Sequence, residues 1–245
     1  MNPSIQNKPP SPVQVLGLPL HLLADYGAWL GDRLRSALST HVVTLNAEMA
    51  MQAEADSQLA AVIHQADLVV PDGAGVVFYL GLRGHRIQRC PGIELAEQVL
   101  QQAEIEGWSV FFYGGQPGVA EAAARHWQDR CPGLNLVGVA DGYGDATAQR
   151  QMVDTLERLH PQLIFVGLGV PRQEFWIQQH RDRCPQSTWI GVGGSFDIWA
   201  QVKSRAPLFL RNNNLEWTYR LYQEPWRWRR MLALPQFAWK ALRGE

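Results

Sequence analysis

Between residues 40 and 200, short apolar runs alternate with longer stretches of mixed polarity. The runs VVTL (42–45), LVV (68–70), WSVFFY (108–113), LNLVGV (134–139), LIFV (163–166) and WIGV (189–192) are too short for buried helices and read as strands. Strands this apolar are buried on both faces, as in a parallel sheet covered by helices. The intervening segments have crossover length. The pattern predicts one helix over 48–65, another ending near Arg130, a third over 147–159 and a fourth starting at Pro171. The fold class expected is α/β, a Rossmann-like, mostly parallel sheet with flanking helices.

Each run ends in glycine and polar residues: Pro71-Asp72-Gly73, Gly114-Gly115-Gln116-Pro117-Gly118, Asp141-Gly142-Tyr143, Gly167-Leu168-Gly169 and Gly193-Gly194. In open α/β sheets ligands bind at the carboxyl ends of strands, near a switch in strand order. The stretches near Thr44, Asp72, Gly114, Asp141, Gly167 and Gly193 are therefore expected to share one rim. In QLIFVGLGVPRQEFW (162–176) a glycine turn opens onto a helix carrying Gln173 and Glu174. Glycine lets a ligand approach the backbone, and the free N–H groups of a helix start favour an anion or polar ligand. The plain alternative is a tight strand-to-helix connection.

The chain has 245 residues, 46% of them hydrophobic, which suits one large domain or one domain with an appendage. Residues 1–12, MNPSIQNKPPSP, lack the pattern of a secretory signal and read as a disordered lead. No apolar stretch approaches the ~20 residues of a membrane span. Three scattered cysteines, Cys90, Cys131 and Cys184, suggest a reducing cytoplasm, with structural roles for Cys131 and Cys184. The net charge of −1 is unevenly divided. Residues 203–245 hold nine Lys/Arg against three Glu, a net +6, and the remainder carries −7. That basic stretch also holds Trp217, Trp226, Trp228 and Trp239. Basic residues interleaved with tryptophan suit a phosphate-rich ligand or an anionic membrane surface, and no nucleic-acid motif accompanies them. The expected division is a lead at 1–12, a core at 13–202 and a basic helical appendage at 203–245. A mobile appendage that docks on the membrane competes with a tail packed permanently on the core, its tryptophans buried.

Several chemistries lack their sequence marks. There is no P-loop, no H-E-x-x-H and no G-x-S-x-G. The seven histidines show no ligand spacing, and Asp-x-Asp is missing, so no metal cage is expected. A dinucleotide oxidoreductase is disfavoured by the missing G-x-G-x-x-G.

Together the motifs resemble the WecG/TagA/CpsF family of glycosyltransferases. The resemblance rests on T-L-N (44–46), A-D-L-V-V-P-D-G-A-G-V-V (66–77), R-C-P-G-I-E-L (89–95), G-G-Q-P-G-V (114–119) and D-G-Y (141–143). It continues through G-L-G-V-P-R-Q-E (167–174), G-V-G-G-S-F-D (191–197), R-A-P (205–207) and L-E-W-T-Y-R-L-Y-Q-E-P-W-R (215–227), covering about residues 13–232. It implies inverting transfer of an N-acetylmannosamine-type sugar from a UDP-sugar to a polyprenyl-diphosphate-linked amino sugar at the cytoplasmic face of the inner membrane. It also implies no metal or other cofactor. Two departures stand out: Trp199-Ala200-Gln201 replaces the family's usual Ala-Gly, and Glu94 stands where Asp is common.

Within that resemblance Asp72 matches the family's general base, with an Asp capping a tight turn as the alternative. Arg89 is expected to stabilise the departing diphosphate, and Gln173 to act beside it. Thr44 and Asn46 either contact the sugar or cap the following helix. Gly73, Gly114, Gly115, Asp141, Tyr143, Gly167, Gly169, Glu174 and Gly193 are expected along the substrate rim. Asp197 either binds donor hydroxyls or caps a turn. Arg220, Arg227 and Arg230 are candidates for the lipid diphosphate, against a solvated basic face. A non-catalytic nucleotide-sugar-binding module with a membrane-docking tail is the second reading. A homo-oligomer is left open.

Overall fold

The computed structural model describes residues 9–244, the side chain of Arg227 excepted. The expected lead falls mostly outside the described residues, and residues 9–12 form no helix or strand. A hairpin of β1 (Val13–Val15) and β2 (Leu18–Leu20) precedes α1 (Tyr26–Arg35). Then follow β3 (Thr40–Leu45), α2 (Ala47–Ala55), α3 (Ser57–Gln65), β4 (Leu68–Pro71), α4 (Ala74–Leu82) and α5 (Gly92–Glu106). The second half runs β5 (Val110–Gly114), α6 (Val119–Arg130), β6 (Leu136–Ala140), α7 (Ala146–Leu159), β7 (Leu163–Gly167), α8 (Arg172–His180), β8 (Thr188–Gly191) and α9 (Ser195–Trp199). Four helices close the chain: α10 (Leu208–Asn212), α11 (Glu216–Gln223), α12 (Trp228–Met231) and α13 (Ala233–Arg243).

The six predicted strands all form, and they pair in parallel in the order β4-β3-β8-β7-β5-β6. The chain builds outward from β3 to β4, jumps to β5 and β6 at the far side, and returns to the centre with β7 and β8. Strand alternation divides the core into two layers. Val42, Val110, Phe112, Phe165 and Ile190 face α1, α5, α6 and α9. On the other face Val43, Leu45 and Val69 meet α2, α3, α4 and α13, while Ile164, Val166 and Trp189 meet α7 and α8.

The single helix expected over 48–65 is two. Asp56 ends α2 in extended conformation, and its Oδ1 accepts from Gln58 N and Leu59 N to cap α3. The Ala/Glu/Gln-rich composition hid a carboxylate in a capping position.

Residues 203–245 are tied to the core at their far end. Phe237 and Ala241 of α13 are 1% and 3% exposed and belong to the cluster with Val76, Tyr79 and Leu80 of α4. Trp217, Trp226, Trp228 and Trp239 remain 40–71% exposed. The tail packs on the core, as the second expected picture has it, but its tryptophans stay outside. Replacing Phe237 with Ala is expected to cost ~3–5 kcal/mol in a denaturant titration, the usual range for emptying a large buried aromatic site. A loss below ~1 kcal/mol, typical of surface positions, would show that α13 does not share the core.

Candidate active site

A cleft lies at the carboxyl ends of β3, β4, β7 and β8, and the tail forms its opposite wall. Three loops converge on its floor because glycines allow them to touch. A Cβ on Gly92 would lie 2.9 Å from Thr44 Cγ2, and one on Gly73 would lie 2.8 Å from Asn46 Cβ. Thr44 is 8% exposed at the end of β3. Asn46 caps α2, its Oδ1 accepting from Met49 N at 2.9 Å, and it also lines the cleft. The cap and the ligand-facing position expected as alternatives are one residue.

Asp72 follows β4 directly. Its backbone N–H donates to Leu45 O, and its Oδ1 accepts from Gly92 N at 2.8 Å. Burial pushes this carboxyl above the usual carboxylate range. Arg220, the Gly92 N–H and Arg89 pull the other way, and Glu216 adds to the rise. The result is a carboxylate of raised basicity aimed into a cleft.

Glu216, in the first turn of α11, is 8% exposed and takes two guanidiniums. Arg89 Nη2 lies 3.2 Å from its Oε2, and Arg220 Nη2 lies 3.3 Å from its Oε1. Lys203 Nζ bridges Asp197 Oδ2 at 2.6 Å and Glu224 Oε1 at 3.1 Å, and Arg230 Nη1 lies 3.4 Å from Glu48 Oε1. On the core side Gln173 Oε1 accepts from Gly193 N at 3.0 Å.

Two compartments meet at Asp72. A polar one of ≈ 180 Å³ is lined by Thr44, Gly169, Gln173, Gly193, Lys203 and Tyr219. An apolar one of ≈ 530 Å³ is lined by Phe78, Trp217, Met231, Leu234, Phe237 and Ala238. Asn46, Asp72, Glu216, Arg220 and Arg230 border both.

The structure therefore brings together Thr44, Asn46, Asp72, Gly73, Arg89, Gly169, Gln173, Gly193, Arg220 and Arg230. Other expected rim residues lie off the cleft. Gly114 (φ 134°) and Gly115 (φ 72°) serve strand packing: a Cβ on Gly114 would sit 2.5 Å from Gly167 carbonyl atoms, and Gly115 N donates to Gly167 O. A Cβ on Gly167 itself would strike the Phe196 ring at 2.5 Å. Asp141 closes its own turn, Oδ1 accepting from Tyr143 N at 2.8 Å, and Tyr143 is 63% exposed beside the edge strand β6. The rim splits because β5 and β6 lie on the far side of β7. Glu174 is fully buried against His41 and Gln173, and Asp197 is taken up by Lys203. The Arg227 side chain lies outside the described residues.

Both sequence departures have a place. Trp199 packs in the core against Phe112 (5.9 Å between ring centroids) and donates to Glu97 Oε1 at 3.1 Å. Glu94 receives Arg205 and, at 3.7 Å, Arg211. Sequence reasoning missed Glu216, Lys203, Tyr219 and Glu224 as cleft residues. Glu216 lay within the quoted L-E-W stretch, but an acidic residue in a basic tail gave no sign that it faces inward.

Asp72 also yields a stability prediction. Its folded-state pKa lies above the unfolded value, so ionising it costs the folded protein. That cost is absent below the ordinary carboxylate value, where both states are protonated, and grows as pH rises through the folded value. The Asp72→Asn variant, whose Oδ1 can still accept from Gly92, is expected to melt higher than wild type at about pH 7–8, with the gap closing toward about pH 4. A variant less stable than wild type at neutral pH would contradict the burial argument.

Comparison with known proteins agrees with the geometry. The profile described as "Glycosyl transferase WecG/TagA/CpsF family" matches residues 13–245. An N-acetylglucosaminyldiphosphoundecaprenol N-acetyl-beta-D-mannosaminyltransferase of Bacillus spizizenii is 38% identical over 205 residues, 83% of this chain and 79% of that one. Proteins of the same name from Bacillus subtilis (34% over 206 residues; 83% and 79%) and Staphylococcus aureus (34% over 216 residues; 86% and 83%) are also similar.

Proposed function

The chain belongs to the WecG/TagA/CpsF glycosyltransferase family, and we propose that it moves an N-acetylmannosamine-type sugar, with inversion, from a UDP-sugar to a polyprenyl-diphosphate-linked amino sugar. The relatives' names supply the transferred sugar and the acceptor type. The observation that carries the reading is the position of Asp72, a carboxylate of raised basicity where a polar and an apolar compartment meet.

In this reading the nucleotide-sugar occupies the polar compartment against Gln173, Gly193 and Tyr219. The first isoprene units of the acceptor fill the apolar one beside Phe78, Trp217 and Leu234. The acceptor hydroxyl oxygen bonds to the anomeric carbon as the bond from that carbon to the β-phosphate oxygen breaks. Asp72 takes the hydroxyl proton, and UDP leaves with the electron pair. Thr44 and Asn46 contact the sugar. Arg89 and Arg220, already placed around one carboxylate, can receive diphosphate oxygens and stabilise the charge that develops. We assign this role to guanidinium groups and not to a metal ion.

Asp72→Asn is expected to lower transfer by ~10²–10⁴-fold, the usual contribution of general-base catalysis, with UDP affinity within a small factor of wild type. Run in EDTA with a soluble lipid-diphosphate acceptor analogue, wild-type turnover should persist. Loss of activity that Mg²⁺ or Mn²⁺ restores would remove the arginine account.

The tail supports a peripheral site on an anionic inner-membrane face. Among the described residues no helix is long and apolar enough to cross a membrane. Phe209, Trp226, Trp228, Trp239 and Leu242 are all more than half exposed within the +6 segment. Tryptophans at headgroup level and basic residues worth ~1 kcal/mol each near an anionic surface make docking salt-sensitive. Co-sedimentation with phosphatidylglycerol vesicles should fall when Trp226, Trp228 and Trp239 are changed to Ser together, and again at high salt. Binding indifferent to both would rule the docking face out.

A further inference from the structure

Glu174 and His41 are placed beyond the reach of any substrate, yet they are polar. Glu174 lies in the first turn of α8 and His41 in β3, and both side chains are fully buried, with Glu174 Oε2 2.9 Å from His41 Nε2. His41 Nδ1 makes no hydrogen bond among the described residues, so Glu174 is the ring's polar partner. The second carboxylate oxygen, Oε1, accepts from Gln173 Nε2 at 2.9 Å. Gln173 Oε1 accepts in turn from Gly193 N at 3.0 Å. Gly193 (φ 51°) begins the turn through Ser195 that walls the polar compartment. The chain of contacts fits because residue 191 is glycine. A Cβ there would lie 2.4 Å from Gln173 Nε2 and 2.9 Å from Glu174 Oε1.

We infer that Glu174 is a positioning residue for donor binding: it fixes the Gln173 amide, and through it the Gly193 turn, in the shape that receives the nucleotide-sugar. A glutamine amide can turn over with little change of shape, exchanging donor for acceptor. Glu174 Oε1 accepts from the amide, so it admits only Nε2 and leaves Gln173 Oε1 facing the Gly193 N–H. A hydrogen bond at one end of the amide polarises it and strengthens the bond at the other. A packing role alone does not account for the pair. Burying a carboxylate costs several kcal/mol before its partners offset it, and apolar residues of similar volume often serve a core as well or better.

The inference rests on the proposed UDP-sugar donor, and its test separates the two claims. UDP titration calorimetry is run on wild type, Gln173→Ala, Glu174→Gln and the double variant, with thermal melting to confirm folding. Glutamine at 174 keeps the shape but no longer dictates the amide orientation. Glu174→Gln is expected to weaken UDP about tenfold, the scale of one hydrogen bond. The double variant should bind no more weakly than Gln173→Ala alone, because both changes act through one amide. Additive losses, or wild-type affinity in Glu174→Gln, would overturn the positioning role. Amide hydrogen exchange in the ligand-free proteins reads the same coupling independently of the donor. Gly193 should exchange faster in Glu174→Gln than in wild type, and unchanged exchange would refute the inference. Wild-type protein that binds no UDP would overturn the donor reading while exchange still decided the coupling.

Discussion

Glu216 receives Arg89 from the core and Arg220 from its own helix, beside Asp72. Two acids and two bases share a partly enclosed volume. Glu216 is the buried member, and a buried charge stripped of its partner commonly destabilises by ~3–5 kcal/mol, so Glu216 depends on its two guanidiniums. The arrangement fixes α11 over the ends of β3 and β4. It also sets the boundary between the polar and apolar compartments. Moving α11 would strand Arg89 and open both compartments to solvent, so the tail is part of the site's construction. A diphosphate presents anionic oxygens to the same two guanidiniums, which is why this bridge and the proposed chemistry occupy one place.

The uneven charge of the chain takes on a second meaning in this light. Among the described residues, five tail cations have acidic partners outside the tail: Lys203 with Asp197, Arg205 and Arg211 with Glu94, Arg230 with Glu48, and Lys240 with Glu54. Pairs this exposed each contribute ~0–1 kcal/mol, so the packing of Phe237 and Ala241 holds the tail and the pairs orient it. Arg229 and Arg243 instead lie over Trp228 and Trp239, with guanidinium carbons 5.5 and 4.7 Å from the ring centroids. Those cation–aromatic pairs on an exposed apolar surface suit a lipid headgroup layer better than a protein interior.

Much of this was legible in the residue order. Six apolar runs became six parallel strands, because strands buried on both faces leave a plain hydrophobic signal. Asp72 and Gln173 were singled out at strand ends punctuated by glycine and proline, Arg89 through the family resemblance, and all three line the cleft. The strand order was not legible. Gly114 and Asp141 follow strands as Gly193 does, and only the insertion of β7 and β8 between β3 and β5 separates them from the cleft. Local pattern cannot tell a glycine that admits a ligand from one that admits a neighbouring backbone, as Gly114 does for Gly167. Nor does it show an acidic residue turning inward from a basic tail, so Glu216 escaped notice. The interior pairing of Glu174 with His41, 133 positions apart, likewise exists only once β3 and α8 are packed together.

The central claim is that one cleft, between the ends of β3, β4, β7 and β8 and the tail helices, holds the donor beside Asp72. A crystal structure with bound UDP tests it most directly. The account predicts the nucleotide between the Gly169–Gln173 and Gly193–Ser195 segments on one wall and the Lys203–Glu224 segment on the other, with its diphosphate directed toward Arg220. UDP seated instead at Gly114, Gly115, Asp141 and Tyr143, with the Asp72 cleft empty, would contradict it.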